Sequence, residues 1–95
     1  MSTLTSEQLQ QDMRAIENNL TRLVNEYEGF LCGAKAKDPK TLETQTERII
    51  SRWRARPIGR TVQRFKFHNL VHRFDCYREN WERQRREKQK RERVF

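Results

Sequence analysis

Between Leu9 and Phe30 the apolar residues fall at Leu9, Met13, Ile16, Leu20, Leu23, Tyr27 and Phe30, a 4-3-4-3-4-3 rhythm. Side chains three and four residues apart share one face of a helix, so this spacing predicts a long helix with a single apolar seam. A seam with that heptad period faces a partner helix, which makes the fold all-α from its first element. The ends of the helix are also marked. Thr5 can cap, Gln8 can reach back to it, and Leu4 can staple onto Leu9. Gly33, just past Cys32, suits the left-handed residue that stops a helix. A helix from about Thr5 to Cys32 would be roughly 40 Å long.

Residues 33–40 read as a loop, and Asp38-Pro39 then starts a second helix, with the carboxylate capping and proline at the first helical position. Leu42, Ile49, Ile50 and Trp53 give this helix a modest apolar face, and Arg56-Pro57 with Gly59 ends it near Ala55. A third helix is expected from about Arg60 into the Arg/Lys/Glu-rich end of the chain. It carries two apolar stripes. One is Phe67, Leu70, Phe74, Tyr77 and Trp81; the other, on the far side, is Ile58, Val62, Phe65, His72 and Cys76. Two stripes predict burial on two sides, one against the first helix and one against the second helix or another subunit.

Hydrophobic residues make up 34% of the 95 and charged residues 36%. That balance is too apolar for a disordered chain and too charged for a thick core, so it fits a thin helical assembly with long solvated faces. The expected architecture is a long antiparallel helical hairpin with a short middle helix, two to three helices in all. Residues 1–86 would form a single helical domain and residues 87–95 a solvated or frayed basic tail. No stretch approaches the roughly 20 apolar residues that span a membrane, and none resembles a signal peptide. Cys32 and Cys76 make no disulfide framework, which suits free thiols in a reducing cytoplasm.

The net charge is +8 and it is lopsided. Residues 1–47 carry five Lys/Arg against eight Asp/Glu, whereas residues 48–95 carry sixteen against five. Arg48, Arg52 and Arg56 stand four apart on one helical face, and Arg60 and Arg64 continue the spacing beyond Pro57. Arg54, Lys66 and Arg73 extend the field, and Trp53 and Phe65 offer aromatic surface within it. Guanidinium groups at this density repel one another and need an anion opposite. That anion is the acidic first helix of the same chain, an acidic patch on a partner protein, or a nucleic-acid backbone. The expected binding residues are Arg48, Arg52, Trp53, Arg56, Arg60, Arg64 and Lys66, with Trp53 as anchor if exposed. Arg64 and Arg73 have an alternative use, as internal partners of Glu26 or Glu28. No helix-turn-helix, zinc-finger or RNA-recognition signature directs this basic surface to nucleic acid. A homodimer through the spare stripe of the last helix is a further possibility.

Chemistry has little support. His68, His72 and Cys76 fall on successive turns and form a weak metal candidate, because three ligands along one straight helix rarely converge on one ion. No Gly-rich phosphate loop, nucleophile elbow or H-E-x-x-H motif occurs, and a thin bundle offers no deep site for tuning a catalytic group. A non-enzymatic chain without cofactor is expected.

The pattern Leu23-x2-Glu26-Tyr27-x2-Phe30-x2-Gly33, Ile49-x2-Arg52, and Arg64-Phe65-Lys66-Phe67-x2-Leu70-x2-Arg73-Phe74-x2-Tyr77-x3-Trp81 resembles a small helical domain recurring in myxobacterial and related deltaproteobacterial proteins. The resemblance covers roughly residues 20–86. It implies that Tyr27, Phe30, Phe67, Phe74 and Trp81 hold the fold and that Arg52, Arg64, Lys66 and Arg73 are left for recognition. Small stand-alone proteins of these bacteria include RomX-like polarity adaptors, which act with a response regulator on a small Ras-like GTPase. The resemblance therefore implies an adaptor or regulator. The loop at residues 35–40 departs from the Pro/Trp-rich loop of larger members, so no loop function carries over.

Overall fold

The computed structural model describes residues 6–34 and 37–93, with the side chains of residues 91–93 excepted. Leu4, Thr5, Val94 and Phe95 lie outside that set, so the expected cap and staple of the first helix fall beyond the described residues. Three helices make up the fold: α1 (Ser6–Leu31), α2 (Lys40–Arg54) and α3 (Thr61–Arg93). Among the described residues there is no strand, and no helix is long and apolar enough to cross a membrane. The body is a rod of 54 × 21 × 18 Å.

The ends of the helices follow local chemistry. Gly33 takes φ 85°, and its N–H donates to the Phe30 carbonyl at 3.2 Å, which closes α1 with the left-handed glycine the sequence marks. Asp38 accepts the Lys40 N–H at 3.0 Å, and the Glu43 N–H reaches the Pro39 carbonyl at 3.1 Å as the first bond of α2. Pro39 is thus the residue before the first helical one, a single position from the sequence reading. After α2 the Arg56 N–H bonds back to Trp53 at 3.1 Å, and the α3 ladder opens with the Arg64 N–H on the Arg60 carbonyl at 2.9 Å.

α1 is the shared element, packing against both other helices. Leu9, Met13, Ile16, Leu20, Leu23 and Tyr27 are all buried along its seam. Ile50 and Trp53 of α2 meet them from one side, and Phe67, Leu70, Phe74 and Trp81 of α3 from the other. Contacts between α1 and α3 keep a nearly constant offset along the chain: Ser6 with Gln63, Tyr27 with Arg85, Phe30 with Lys88. The two long helices therefore run in the same direction. The antiparallel neighbours are the sequential pairs, because α2 is long enough to carry the chain back along the rod.

Beyond Ile58, which is partly buried against the core, the second stripe of α3 is not covered. Val62 and Phe65 are each 69% exposed, and His72 and Cys76 are exposed as well. The expectation of burial on two sides is corrected: α2 lies beside α1 and the core edge of α3, so nothing in the monomer reaches the far face.

The two ends of the rod are fastened differently. At the loop end, Arg85 donates to both oxygens of Asp38 at 2.7 and 2.9 Å and to the Tyr27 hydroxyl at 2.8 Å. The Tyr27 hydroxyl in turn donates to Glu43 at 2.8 Å, and Glu43 is only 2% exposed. Lys40 and Arg78 complete the surroundings of Glu43 at 2.9 and 3.7 Å, and Arg78 also pairs with Glu47. This cluster ties α1, α2, α3 and the loop together. Lys88 adds a bond to the Phe30 carbonyl at 2.9 Å and sits over the Phe30 ring, so α3 remains docked as far as that residue.

Burial, reinforced by the hydrogen bond to Glu43, pushes the Tyr27 phenol up to about 12 from its ordinary 10.0, against the opposing pull of Arg85. The unfolded chain loses this proton first, so the contribution to stability is complete below pH 10 and disappears as pH rises to about 12. Urea unfolding across that window should show stability falling with pH, and Tyr27→Phe should flatten the fall. An equally steep fall in the variant would assign it to other groups. Asp38 behaves in the opposite sense. The Arg85 fork holds its carboxyl below the ordinary 3.8, so its contribution is present above that value and lost on further acidification.

Candidate functional site

The sequence leaves open whether the acidic half of the chain neutralises the basic half, and the pairs formed answer this residue by residue. Asp12 of α1 accepts from Arg52 at 3.2 Å. Asp75 faces Arg54 at 3.8 Å, Glu43 and Glu47 take Arg78, and Asp38 takes Arg85. Glu26 pairs with its helical neighbour Arg22 at 3.8 Å, so it serves neither Arg64 nor Arg73. Neutralisation in cis therefore reaches Arg52, Arg54, Arg78 and Arg85, whereas Arg83, Arg86, Lys88 and Lys90 of the later α3 make no ion pair among the described residues. Among the described residues, Arg48, Arg56, Arg60, Arg64, Lys66 and Arg73 make no ion pair, and all six are exposed.

Trp53 is not the exposed anchor suggested by its place in the basic segment. It is 5% exposed, and its indole N–H donates to Asp12 at 2.7 Å. The same Asp12 oxygen takes Arg52, and the other oxygen accepts from Gln8 at 3.2 Å. An indole N–H buried in a core requires an acceptor, and a carboxylate one helix away supplies it. Trp53 and Arg52 are thus fold residues, and both leave the candidate surface.

The remaining cations line two grooves. Arg56 and Arg64 border a groove of about 270 Å³ at the α2–α3 turn, together with Arg54, His68 and Ile58. Lys66 and Arg73 border a second groove of about 380 Å³ between α1 and α3, together with Arg14 and Glu17. Arg48 and Arg60 line neither of these grooves. Between them runs the exposed ridge of α3. Arg64, Phe65 and Lys66 are successive residues, about 100° apart around the helix, so Phe65 crests the ridge while its neighbours slope into opposite grooves. Sequence reasoning placed Phe65 within the basic field but chose Trp53 as the anchor. Half of the distinguishing signal was available, since Phe65 is out of step with Phe67, Leu70 and Phe74.

The metal candidate does not assemble. Among the described residues no group of three His, Cys, Asp or Glu converges on a cation position. The Cys76 thiol and the His72 Nε2 approach to 3.7 Å on the exposed face, and His68 instead lines the α2–α3 groove. The buried titratable groups are engaged with one another, as described for Tyr27, Glu43 and Asp12. Among the described residues no buried side-chain nitrogen or oxygen lacks a hydrogen-bond partner. Uncompensated charge and apolar surface therefore coincide at one place, the ridge of α3 and its flanking grooves. Compared with known proteins, the chain matches no family model, no curated protein and no solved structure.

Proposed function

We propose that this chain is a non-catalytic adaptor or regulator that docks its basic α2–α3 face on an acidic surface of a partner protein in the cytoplasm. The carrying observation is the coincidence of six exposed cations that make no ion pair among the described residues with the 69% exposure of Val62 and Phe65. Cations without counter-ions steer encounter with an acidic surface, and a desolvated aromatic among them supplies hot-spot contact. Arg48, Arg56, Arg60, Arg64 and Lys66 set the approach, and Phe65 replaces Trp53 as the anchor. The sequence motif that resembles the myxobacterial helical domain adds a direction, towards a small Ras-like GTPase or its response regulator. A phosphate backbone would meet the same cations, and nuclease separates the two. Affinity capture from native extract should recover one stoichiometric protein that survives nuclease. Recovery of nucleic acid, or loss of all captured protein on nuclease treatment, would make the chain a nucleic-acid binder instead.

A further inference from the structure

The exposed ridge of α3 has a regular spacing of its own. Val62, Phe65, Asn69, His72 and Cys76 follow one another at 3-4-3-4, the period of a two-helix seam. All five are exposed, although the other 3-4-3-4 line of the same helix forms the core. Fourteen helical rises separate Val62 from Cys76, so the seam is roughly 21 Å long, about two heptads. The flanking positions differ between the two sides of the seam. Lys66 and Arg73 border the seam on one side and have no ion pair among the described residues. His68 and Asp75 border it on the other, where Asp75 is engaged by Arg54 at 3.8 Å.

We infer that this ridge is a docking seam for an acidic amphipathic helix of the partner, an inference that rests on the basic-face reading above. Charge complementarity selects the occupant. Carboxylates flanking the apolar line of such a helix would face Lys66 and Arg73, with Arg14 of α1 in the same groove. A second copy of this chain fits poorly. A parallel pair would set His68 of one copy opposite Arg73 of the other, and an antiparallel pair would bring the Lys66 and Arg73 of both copies together along one side. Asn69 occupies the central layer. A polar residue there weakens a seam but fixes register, so the best partner presents a hydrogen-bonding side chain at the facing layer. Phe65 and Val62 supply the main apolar contact, because His72 and Cys76 contribute less.

The test uses the full chain and a synthetic three-heptad peptide with Ile and Leu along its seam, one Asn layer and Glu at the flanks. A counterpart peptide carries Lys at the flanks. Fluorescence anisotropy at physiological ionic strength should show one-to-one binding of the Glu peptide and none of the Lys peptide. The double variant Val62→Glu, Phe65→Glu should weaken that binding at least tenfold. Both positions are 69% exposed, so helicity and the urea midpoint of this variant should match the parent and separate lost docking from lost folding. Equal affinity of the double variant, binding of both peptides, or no binding of the Glu peptide would each overturn the seam. Sedimentation showing self-association that depends on Phe65 would overturn it too, by giving the ridge to a second copy. In capture from extract, a protein lost when Arg56, Arg60 and Arg64 are changed to Glu but retained by Val62→Glu, Phe65→Glu would keep the basic face and remove the seam. The converse would remove the basic face.

Discussion

Replacing Trp81 with alanine is expected to destabilise the fold by about 3–5 kcal/mol, the usual cost of emptying a large aromatic site in a core. Trp81 is 4% exposed and stacks between two tyrosines, with ring centroids 4.3 Å from Tyr27 and 5.5 Å from Tyr77 at nearly parallel planes. It is the last large apolar side chain of the α3 stripe, so no neighbour further along α3 can move in to fill the space. The loss also loosens the environment that holds the Tyr27 hydroxyl between Arg85 and Glu43. Total stability for a domain of this size is on the order of 5–15 kcal/mol, so the variant would approach or cross the unfolding threshold at room temperature. Urea unfolding followed by circular dichroism measures this directly. Phe65→Ala is the internal comparison, with an expected change within about 0.5 kcal/mol because its ring is solvated. A cost below about 1 kcal/mol for Trp81→Ala would mean that α3 does not pack where the structure puts it.

The second large effect is expected at Asp12, on the opposite end of the rod. Asp12→Ala removes the acceptor that the Trp53 indole has among the described residues, and it leaves Arg52 without its partner. An orphaned buried donor costs about 1–3 kcal/mol, and the space vacated by the carboxylate adds to it. The total should be about 2–4 kcal/mol by that accounting. Asp12→Asn keeps an acceptor for the indole and should cost about half as much. Parity between the two variants would mean that charge, not the hydrogen bond to Trp53, is what Asp12 contributes.

The contrast between Asp12 and Trp53 shows which parts of the structure were legible in the sequence. The seam of α1 was readable because seven apolar residues at heptad spacing have one geometric solution, and Gly33 and Asp38-Pro39 were readable because their roles are local. The buried face of α2 was not. Its inward line is Glu43, Thr46, Ile50 and Trp53, a 3-4-3 spacing with polar residues in half of its positions. A search for apolar side chains shifts that face towards Leu42 and Ile49, which are only partly buried. Glu43 is tolerated inside because Tyr27 lies sixteen residues away in sequence and Arg78 thirty-five, and local pattern does not reveal such distant partners. Thr46 is satisfied within its own helix by the Leu42 carbonyl at 2.8 Å.

The binding surface was half legible for the same reason. Arginine spacing located the α2–α3 corner, but only tertiary contacts show that Asp12 takes Arg52 while Arg56, Arg60 and Arg64 stay unpaired. The bare stripe of α3 was visible as a stripe, and its exposure follows from the placement of α2. The parallel course of α1 and α3 likewise follows from the length of α2, and it lays α1 along α3 from Gln63 to Lys88 without covering the ridge.

The most direct test of the central claim is capture from nuclease-treated native extract by the parent chain and by the triple variant Arg56→Glu, Arg60→Glu, Arg64→Glu, run side by side. These residues are exposed and outside every ion pair described, so the variant should keep the parent's helicity and urea midpoint. A basic docking face requires one stoichiometric protein on the parent and at least a tenfold loss of it on the variant. Equal recovery of that protein by both would contradict the account and move the interface elsewhere on the rod.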